Sequence, residues 1–249
     1  MQNPPTIPTL IIAYIYAYFR KTKLVLDWHN YGFSIMKLSF GDSCIVWIAK
    51  KIEAFFGPRV NAAFCVSKAM KRDLKDMWSI EATVLYDKPI NTFKPCSIDE
   101  KHELIIKLSE IYPEVLGGGQ RSLSRFTEKN EDNIVREKIN RPAILVSSTS
   151  WTPDEDFGIL FEALDKYESR CALMNSLPKL VCVITGRGPQ KDYYRKLIEN
   201  QDWQHVEVIM PWLEPEDYPL MLGSADLGVC LHTSSSGVDL PMKVHLYFD

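Results

Sequence analysis

Short apolar runs that alternate with helical segments are the feature that most restricts how this chain can fold. LVLDWHN (24–30), AAFCVS (62–67) and ATVLYDKP (82–89) are continuous apolar runs closed by polar residues or proline, as buried parallel strands are. Between the first two runs, residues 43–56 place apolar side chains at helical spacing and stop at a Gly-Pro pair. This alternation predicts a parallel sheet flanked by helices.

The alternation begins again in the second half of the chain. Further strands, with helices between them, are predicted at 144–146, 180–185, 206–213 and 227–231. The predicted fold class is therefore α/β, with two Rossmann-like parallel-sheet domains that face a cleft.

Domain boundaries follow from shifts in composition. Residues 1–94 are predicted to form the first domain and residues 142–249 the second. Residues 95–141 are predicted to be a polar, partly disordered linker or insertion, because 117–141 carries few large apolar side chains. A helical patch, HELIIKLSEIY, lies within it and is expected to pack on one domain or the other.

Charge and cysteine content exclude some classes of protein. A net charge of −3 argues against a general nucleic-acid binder, which would carry a basic excess. The 6 cysteines form no C-x-x-C pair, so they are expected to be buried thiols in a reducing compartment rather than disulfides or zinc ligands. Met1 is followed by QNPPTIP without a basic segment, so no secretory signal is expected.

The stretch TLIIAYIYAYF (9–19) raises the question of a membrane. It is too short to span a bilayer, which takes about 20 apolar residues. One interpretation is a buried helix of a globular domain. The other is an interfacial helix whose tyrosines and following basic residues, within 9–23, touch a membrane surface.

Polar loops that follow the predicted strands indicate a ligand site, because the carboxyl ends of parallel strands share one edge of a sheet. In TGRGP the glycines let backbone N–H groups approach a phosphate and the arginine supplies a guanidinium. HTSSSG supplies hydroxyl groups ahead of a predicted helix start near Pro241. The set suits a diphosphate, although a plain α/β core, a solvated serine loop and a surface arginine are the alternatives. The candidate ligand-binding residues are Thr149, Ser150, Gly186, Arg187, Gly188, His232, Thr233, Ser234, Ser235, Ser236, Gly237, Asp239 and Lys243.

Asp27 and His29, in DWHNYG, lie where the first predicted strand ends. A histidine there can accept a proton or bind a sugar hydroxyl, or it can be a structural histidine tied to Asp27. Trp28 is expected in the core rather than at a sugar platform.

The acidic run 154–156 resembles a metal cluster, but Thr152-Pro153-Asp154-Glu155 also fits a capping box, so no metal site is predicted.

Several long motifs together resemble one family, the chitobiosyldiphosphodolichol β-mannosyltransferases, from about residue 1 to Val244. They are DWHNYG followed by SIM, then VLYDKP, SSTSWTPDEDF, VCVITGRGP and PWLEPEDYPLMLGSADLGVCLHTSSSGVDLPMKV. The resemblance implies a GT-B glycosyltransferase that transfers mannose from GDP-mannose to GlcNAc2-diphosphate-dolichol. It implies a β1,4 linkage formed with inversion, no tightly bound cofactor, and a place on the cytosolic face of the endoplasmic reticulum membrane. The first domain would then be the acceptor side, with Asp27 or His29 as the base, and the second would bind the donor nucleotide.

The chain also departs from the family. Its relatives are expected to begin with a membrane-spanning helix and a glycine-rich βα unit, and to continue after PMKV with an acidic residue and further strands. This sequence reads HLYFD there, like an alternative ending. Both domains are therefore expected to be incomplete, with low or absent catalysis. Three hypotheses follow: an active mannosyltransferase, an inactive homologue that binds other early N-glycosylation transferases, or a sugar-nucleotide epimerase or hydrolase.

Overall fold

The computed structural model describes residues 1–88, 91–117, 122–152, 155–174 and 176–241. The chain divides into two compact units. The first contains Met1–Lys88 together with Thr233–Met242, and the second contains Pro89–His232. The segment that follows His232 thus groups with the amino-terminal unit.

The first unit is built on a parallel sheet of four strands, which lie side by side in chain order, at 2–3, 25–28, 62–65 and 82–84. Trp28 lies at its centre, fully buried between the rings of Tyr31 and Trp78, so it is a core residue as predicted. Ser67 accepts a hydrogen bond from the Met70 N–H (2.9 Å) and caps the last helix of the unit. The elements are β1 (Gln2–Asn3), α1 (Thr9–Arg20), β2 (Val25–Trp28), α2 (Gly32–Phe40), α3 (Cys44–Phe56), β3 (Ala62–Cys65), α4 (Lys68–Trp78) and β4 (Ala82–Val84).

Helix α1 corresponds to the stretch that raised the membrane question. Leu10 is its one buried residue, so the interpretation of α1 as a buried helix is wrong. Among the described residues, no helix is both long and apolar enough to cross a bilayer.

The second unit holds another parallel sheet, with β10 (Leu227–Gly228), β7 (Ala143–Ser148), β8 (Leu180–Thr185) and β9 (Val206–Ile209) side by side in that order. It also holds an antiparallel pair, β5 (Thr127–Lys129) and β6 (Val135–Glu137). The central strands β7 and β8 are almost wholly buried, which explains their uninterrupted apolar sequences. The elements are α5 (Ile98–Ser109), α6 (Pro113–Leu116), β5 (Thr127–Lys129), β6 (Val135–Glu137), β7 (Ala143–Ser148), α7 (Phe157–Leu173), β8 (Leu180–Thr185), α8 (Lys191–Glu199), β9 (Val206–Ile209), α9 (Asp217–Ser224) and β10 (Leu227–Gly228). The α/β class with parallel sheets is confirmed.

The region predicted to be a polar linker differs from expectation. Its described residues include α5, α6 and the β5-β6 pair. Leu104 and Leu108 of α5 join Phe126 in one buried cluster with sheet residues of the same unit. The Lys101 ammonium also donates to Glu137 at 2.6 Å, which ties α5 to β6. A few well-spaced apolar side chains anchor an otherwise polar segment, a signal that average composition hides.

Helix α7 begins later than the predicted capping box. Its N-cap is Asp156, whose carboxylate accepts from the Gly158 N–H at 2.9 Å. Glu155 therefore does not cap the helix, and Pro153 and Asp154 lie outside the described residues.

The prediction that the cysteines are buried is confirmed for three of the six. All six are free, and Cys65, Cys171 and Cys182 are buried. Burial raises the pKa of the Cys182 thiol to about 12, so it stays protonated at neutral pH. Cys44 is exposed, so the prediction that the cysteines are buried was wrong there, and Cys96 and Cys230 are only partly buried.

Candidate functional site

In the second unit, the loops after β7 and β8 lie against each other. The Thr149 N–H donates to the Thr185 carbonyl at 2.9 Å, and the Gln190 N–H donates to the Trp151 carbonyl at 3.1 Å. Thr149, Ser150 and the Gly186–Gly188 turn are thereby brought together at the carboxyl end of the sheet, where α/β folds bind ligands.

The two glycines of the turn allow this close approach. A Cβ on Gly186, which has φ +140°, would lie 1.8 Å from the Thr149 carbonyl oxygen. A Cβ on Gly188 would lie 1.7 Å from the Ser150 carbonyl oxygen. Within this structure the glycines therefore serve the packing of one loop on the other, a role that the sequence reasoning did not assign.

Glu155 organises the first loop. Its buried carboxylate accepts hydrogen bonds from the Thr149 hydroxyl and from the Ser150 N–H (2.9 Å). The Thr149 oxygen in turn accepts from the Trp151 N–H at 2.7 Å. Glu155 also pairs with His232 in an isolated antiparallel bridge, which brings His232 to this loop.

Trp151 gives the loop after β7 an unusual backbone conformation. Its φ of +51° is in the left-handed region that bulky side chains rarely adopt. The side chain is fully buried, and its indole N–H has no hydrogen-bond partner in the part of the chain that the structure describes. Strained backbone that is held in place by its surroundings is typical of functional loops.

Two cations accompany the glycine turn. The Arg187 guanidinium stacks over the Trp212 ring at 3.8 Å and remains exposed. Lys191 donates to the carbonyls of Gly186 (3.2 Å) and Met210 (3.1 Å), bracing the turn against the end of β9. Burial lowers the pKa of the Lys191 ammonium, and the nearby charges of Arg195 and Arg187 lower it further.

The serine loop, residues 233–239, belongs to the first unit, whereas the glycine turn belongs to the second. The Asn30 side-chain amide donates to Ser235 Oγ (3.2 Å) and to the Asp239 carboxylate (2.8 Å). The Ser34 hydroxyl is 2.9 Å from that of Ser235, and the Ser67 hydroxyl donates to the Val238 carbonyl at 2.5 Å.

Within the loop, Ser234 makes a local turn. Its hydroxyl donates to Asp239 and accepts from the Gly237 N–H at 2.7 Å. Ser236 accepts from the Val238 N–H at 3.5 Å. Several of the hydroxyls expected to meet a phosphate thus shape the loop itself.

His29 lies between two carboxylates. Its Nε2 is 3.1 Å from Asp27 Oδ2 and its Nδ1 is 3.4 Å from Asp87 Oδ2. The imidazole is only partly exposed. The Nε2 contact with Asp27 has hydrogen-bond geometry, whereas Asp87 Oδ2 is buried and has no hydrogen-bond partner in the described part of the chain, so its contact with the ring is electrostatic.

The predicted site residues therefore fall into two groups. Thr149, Ser150, Gly186, Arg187, Gly188 and His232 gather in the second unit, whereas Asp27, His29, Thr233, Ser234, Ser235, Ser236, Gly237 and Asp239 belong to the first. Lys243 lies outside the described residues. In neither unit do the described residues include three His, Cys, Asp or Glu side chains that could hold a metal ion.

Four residues that shape these contacts were not predicted from the sequence: Asn30, Asp87, Glu155 and Lys191. Asn30 stands beside His29 and Asp87 ends a predicted strand, so their positions carried a signal. Glu155 and Lys191 carried none, because each acts through contacts made only in the folded loops.

The chain is similar to curated glycosyltransferases over nearly all of its length. It is 51% identical over 251 residues to a chitobiosyldiphosphodolichol beta-mannosyltransferase from Mus musculus, with 98% of this chain and 52% of that protein covered. The Homo sapiens protein of the same name is 49% identical, with 98% and 54% covered. A UDP-glycosyltransferase named TURAN, from Arabidopsis thaliana, is 42% identical, with 98% and 57% covered. The chain thus spans about half the length of these relatives. No family model matches it.

Solved structures support the fold class. A sucrose-phosphate synthase from Thermosynechococcus elongatus matches with a TM-score of 0.55 at 8% identity, over 94% of this chain and 50% of that one. An alpha,alpha-trehalose-phosphate synthase (UDP-forming) from Burkholderia xenovorans, in complex with glucose-6-phosphate, matches with a TM-score of 0.53 at 11% identity, over 99% and 54%. Identities this low show the fold alone, which is that of GT-B glycosyltransferases. The chain is therefore a homologue of the chitobiosyldiphosphodolichol beta-mannosyltransferases, matching them over nearly all of its own length and about half of theirs.

Proposed function

We propose that this chain carries out, or is the core of a protein that carries out, transfer of mannose from GDP-mannose to GlcNAc2-diphosphate-dolichol, forming a β1,4 linkage with inversion. The observation that carries the proposal is the 51% identity to a chitobiosyldiphosphodolichol beta-mannosyltransferase over 98% of the chain. The name of that relative supplies the acceptor, a chitobiosyl group on diphosphodolichol.

The loops of the second unit suit the donor diphosphate. Backbone N–H groups of the Gly186–Gly188 turn and the exposed Arg187 guanidinium offer hydrogen bonds and charge to an anion. Helix α8 begins at Lys191, three residues beyond the turn, so the positive end of its dipole adds to the same field. Such groups stabilise the negative charge that grows on a departing nucleoside diphosphate.

In the first unit we assign proton acceptance to Asp27, with His29 as its positioning partner and Asp87 on the other side of the ring. The acceptor hydroxyl attacks the anomeric carbon while a carboxylate oxygen takes its proton. We also assign substrate binding to the serine loop, including Thr233, Ser236 and Asp239, and to Lys243. A lipid-linked acceptor sets the reaction at a membrane surface, which we propose to be the cytosolic face of the endoplasmic reticulum.

The test is transfer of labelled mannose from GDP-mannose to a chitobiosyl-diphosphate lipid by the purified chain. Arg187→Ala should reduce binding of a fluorescent GDP analogue at least about tenfold, the value of one charge-assisted contact. Arg170→Ala, at an exposed arginine of α7, is the matched control.

Three outcomes decide between the hypotheses. Mannose on the lipid that a β-mannosidase removes supports the proposal. Mannose released equally with and without acceptor indicates hydrolysis instead. A folded chain that neither binds GDP nor transfers mannose, even when extended to the full length of its relatives, contradicts the proposal.

A further inference from the structure

Helix α1 leaves an apolar stripe uncovered in its own unit. Ile12, Ile15, Tyr16 and Phe19 recur at the three- and four-residue spacing of one helix face. All four are exposed, Tyr16 by 62% and Phe19 by 77%. Large side chains exposed together, rather than singly, mark an interaction surface.

Helix α3 continues this surface. Ile48 and Phe55 lie two turns apart on its outer face, and Trp47 beside them is 61% exposed. The two helices are in contact, because the Tyr14 ring of α1 lies 5.1 Å from the Phe56 ring of α3. Phe56 lies 5.0 Å from Phe55, so aromatic contacts connect the two helices. We name the exposed apolar residues of α1 and α3 the aromatic face.

Basic side chains border the aromatic face. Helix α1 contains no acidic residue, and Glu53, the one acidic residue of α3, is fully buried. The Lys51 ammonium sits 5.5 Å from the centre of the Trp47 ring. The basic residues at the end of α1, on the outer side of α3 and just after it are Arg20, Lys21, Lys23, Lys51 and Arg59, whereas the Lys50 ammonium packs over the Phe33 ring of α2. Although the whole chain has a net charge of −3, this surface is cationic.

We propose that the aromatic face docks on the surface of a bilayer that contains anionic lipid. Apolar and aromatic side chains would enter the boundary between headgroups and acyl chains, while the flanking lysines and arginines meet lipid phosphates. Each basic residue near such a surface attracts it, and the attraction fades within a Debye length. This inference rests on the proposed function in one respect: docking would bring the chain to the membrane that contains its lipid-linked acceptor.

A second copy of this chain is the competing occupant. In a two-fold dimer the same face meets itself, so the basic residues of one copy would face those of the other. Neither helix offers an exposed carboxylate to pair with them. Charge complementarity therefore favours an anionic lipid surface over self-association.

Vesicle flotation tests the proposal without any turnover. The full chain is mixed with vesicles of phosphatidylcholine alone or with about 30% phosphatidylserine and floated on a density gradient. We expect flotation with the anionic vesicles, weakened by raised salt. I15S/Y16S/F19S should reduce the partition coefficient at least about tenfold with either lipid. K21Q/K23Q/K51Q should remove chiefly the increment that phosphatidylserine provides.

Matched control variants remove exposed apolar side chains or lysines that lie outside the aromatic face. I139S/L173S deletes two strongly exposed apolar side chains of the second unit, and K68Q/K71Q/K166Q removes three exposed lysines. Both should float like the wild type, and circular dichroism checks that every variant is folded.

The proposal is overturned if the chain floats with neither vesicle composition, if phosphatidylserine does not increase flotation, or if I15S/Y16S/F19S floats like the wild type. A lipid-free dimer, detected by light scattering, that the same variant dissociates overturns it as well. Binding of a GDP analogue, measured in parallel, reports on the proposed function separately.

Discussion

The backbone N–H of Ser150 donates a hydrogen bond of 2.9 Å to the buried carboxylate of Glu155. The same carboxylate accepts from the Thr149 hydroxyl. An acidic side chain thereby holds the loop that follows β7, and this fixes the position of two candidate donor-binding residues.

Replacing Glu155 should loosen the loop. Glu155→Ala leaves the Ser150 N–H and the Thr149 hydroxyl without their acceptor, which should lower the free energy of unfolding by about 1–3 kcal/mol. Glu155→Gln keeps a carbonyl oxygen and should cost less. Urea titrations of the three proteins measure the difference. Equal stability of the wild type and Glu155→Ala would show that water replaces the carboxylate.

The glycine turn should not tolerate a methyl group. Gly188→Ala would put a Cβ 1.7 Å from the Ser150 carbonyl oxygen, and we expect a cost of about 3 kcal/mol as the loops separate. Gly237→Ala is the control, since its φ of +73° is unfavourable but nothing lies within 4 Å of the added carbon. It should cost about 1 kcal/mol. Calorimetric melting temperatures should rank the variants accordingly, and the reverse order would refute the packing role.

Asp27 should matter for the chemical step and not for donor binding. If its carboxylate takes the proton, Asp27→Asn should reduce transfer about 100-fold or more, while the affinity for a GDP analogue stays constant. Asp42→Asn, at an exposed aspartate of the same unit, should leave both unchanged. Full activity in Asp27→Asn would assign the base elsewhere, and Asp87→Asn would be assayed next.

Glu53 should make stability depend on pH. Burial raises the pKa of its carboxyl, although hydrogen bonds donated by Thr6 (2.6 Å) and Asn3 (2.6 Å) oppose the rise. The folded state therefore holds this proton to a higher pH than the unfolded state. The resulting stability is present below the unfolded pKa of about 4.3 and is lost as the pH rises through the folded value.

Glu53→Gln, which does not titrate, isolates that contribution. Urea titrations at several pH values should give a wild type that loses stability, relative to Glu53→Gln, as the pH rises. Parallel pH profiles for the two proteins would mean that the hydrogen bonds fully compensate for burial.

Much of the fold could be predicted from local pattern. Runs such as 180–185 are apolar throughout because both faces of a central parallel strand are covered, and that requirement is written in the residues themselves. The helix at 43–56 was likewise visible from its spacing. Apart from the helical patch in α5, the helices and strands within 95–141 were not predicted, because the few buried side chains of this segment are outnumbered by polar ones.

The candidate site was predictable only as a set of loops. Local pattern sufficed to place Thr149, the glycine turn and His29 at strand ends, because apolar runs and turn chemistry are local properties. Their partners became known only from the folded chain: Glu155 for the first loop, Asp87 for His29, and Asn30 for the serine loop, which belongs to the first unit. Contacts between residues distant in sequence depend on how the chain packs, and no local pattern of residues shows which of them come close in space.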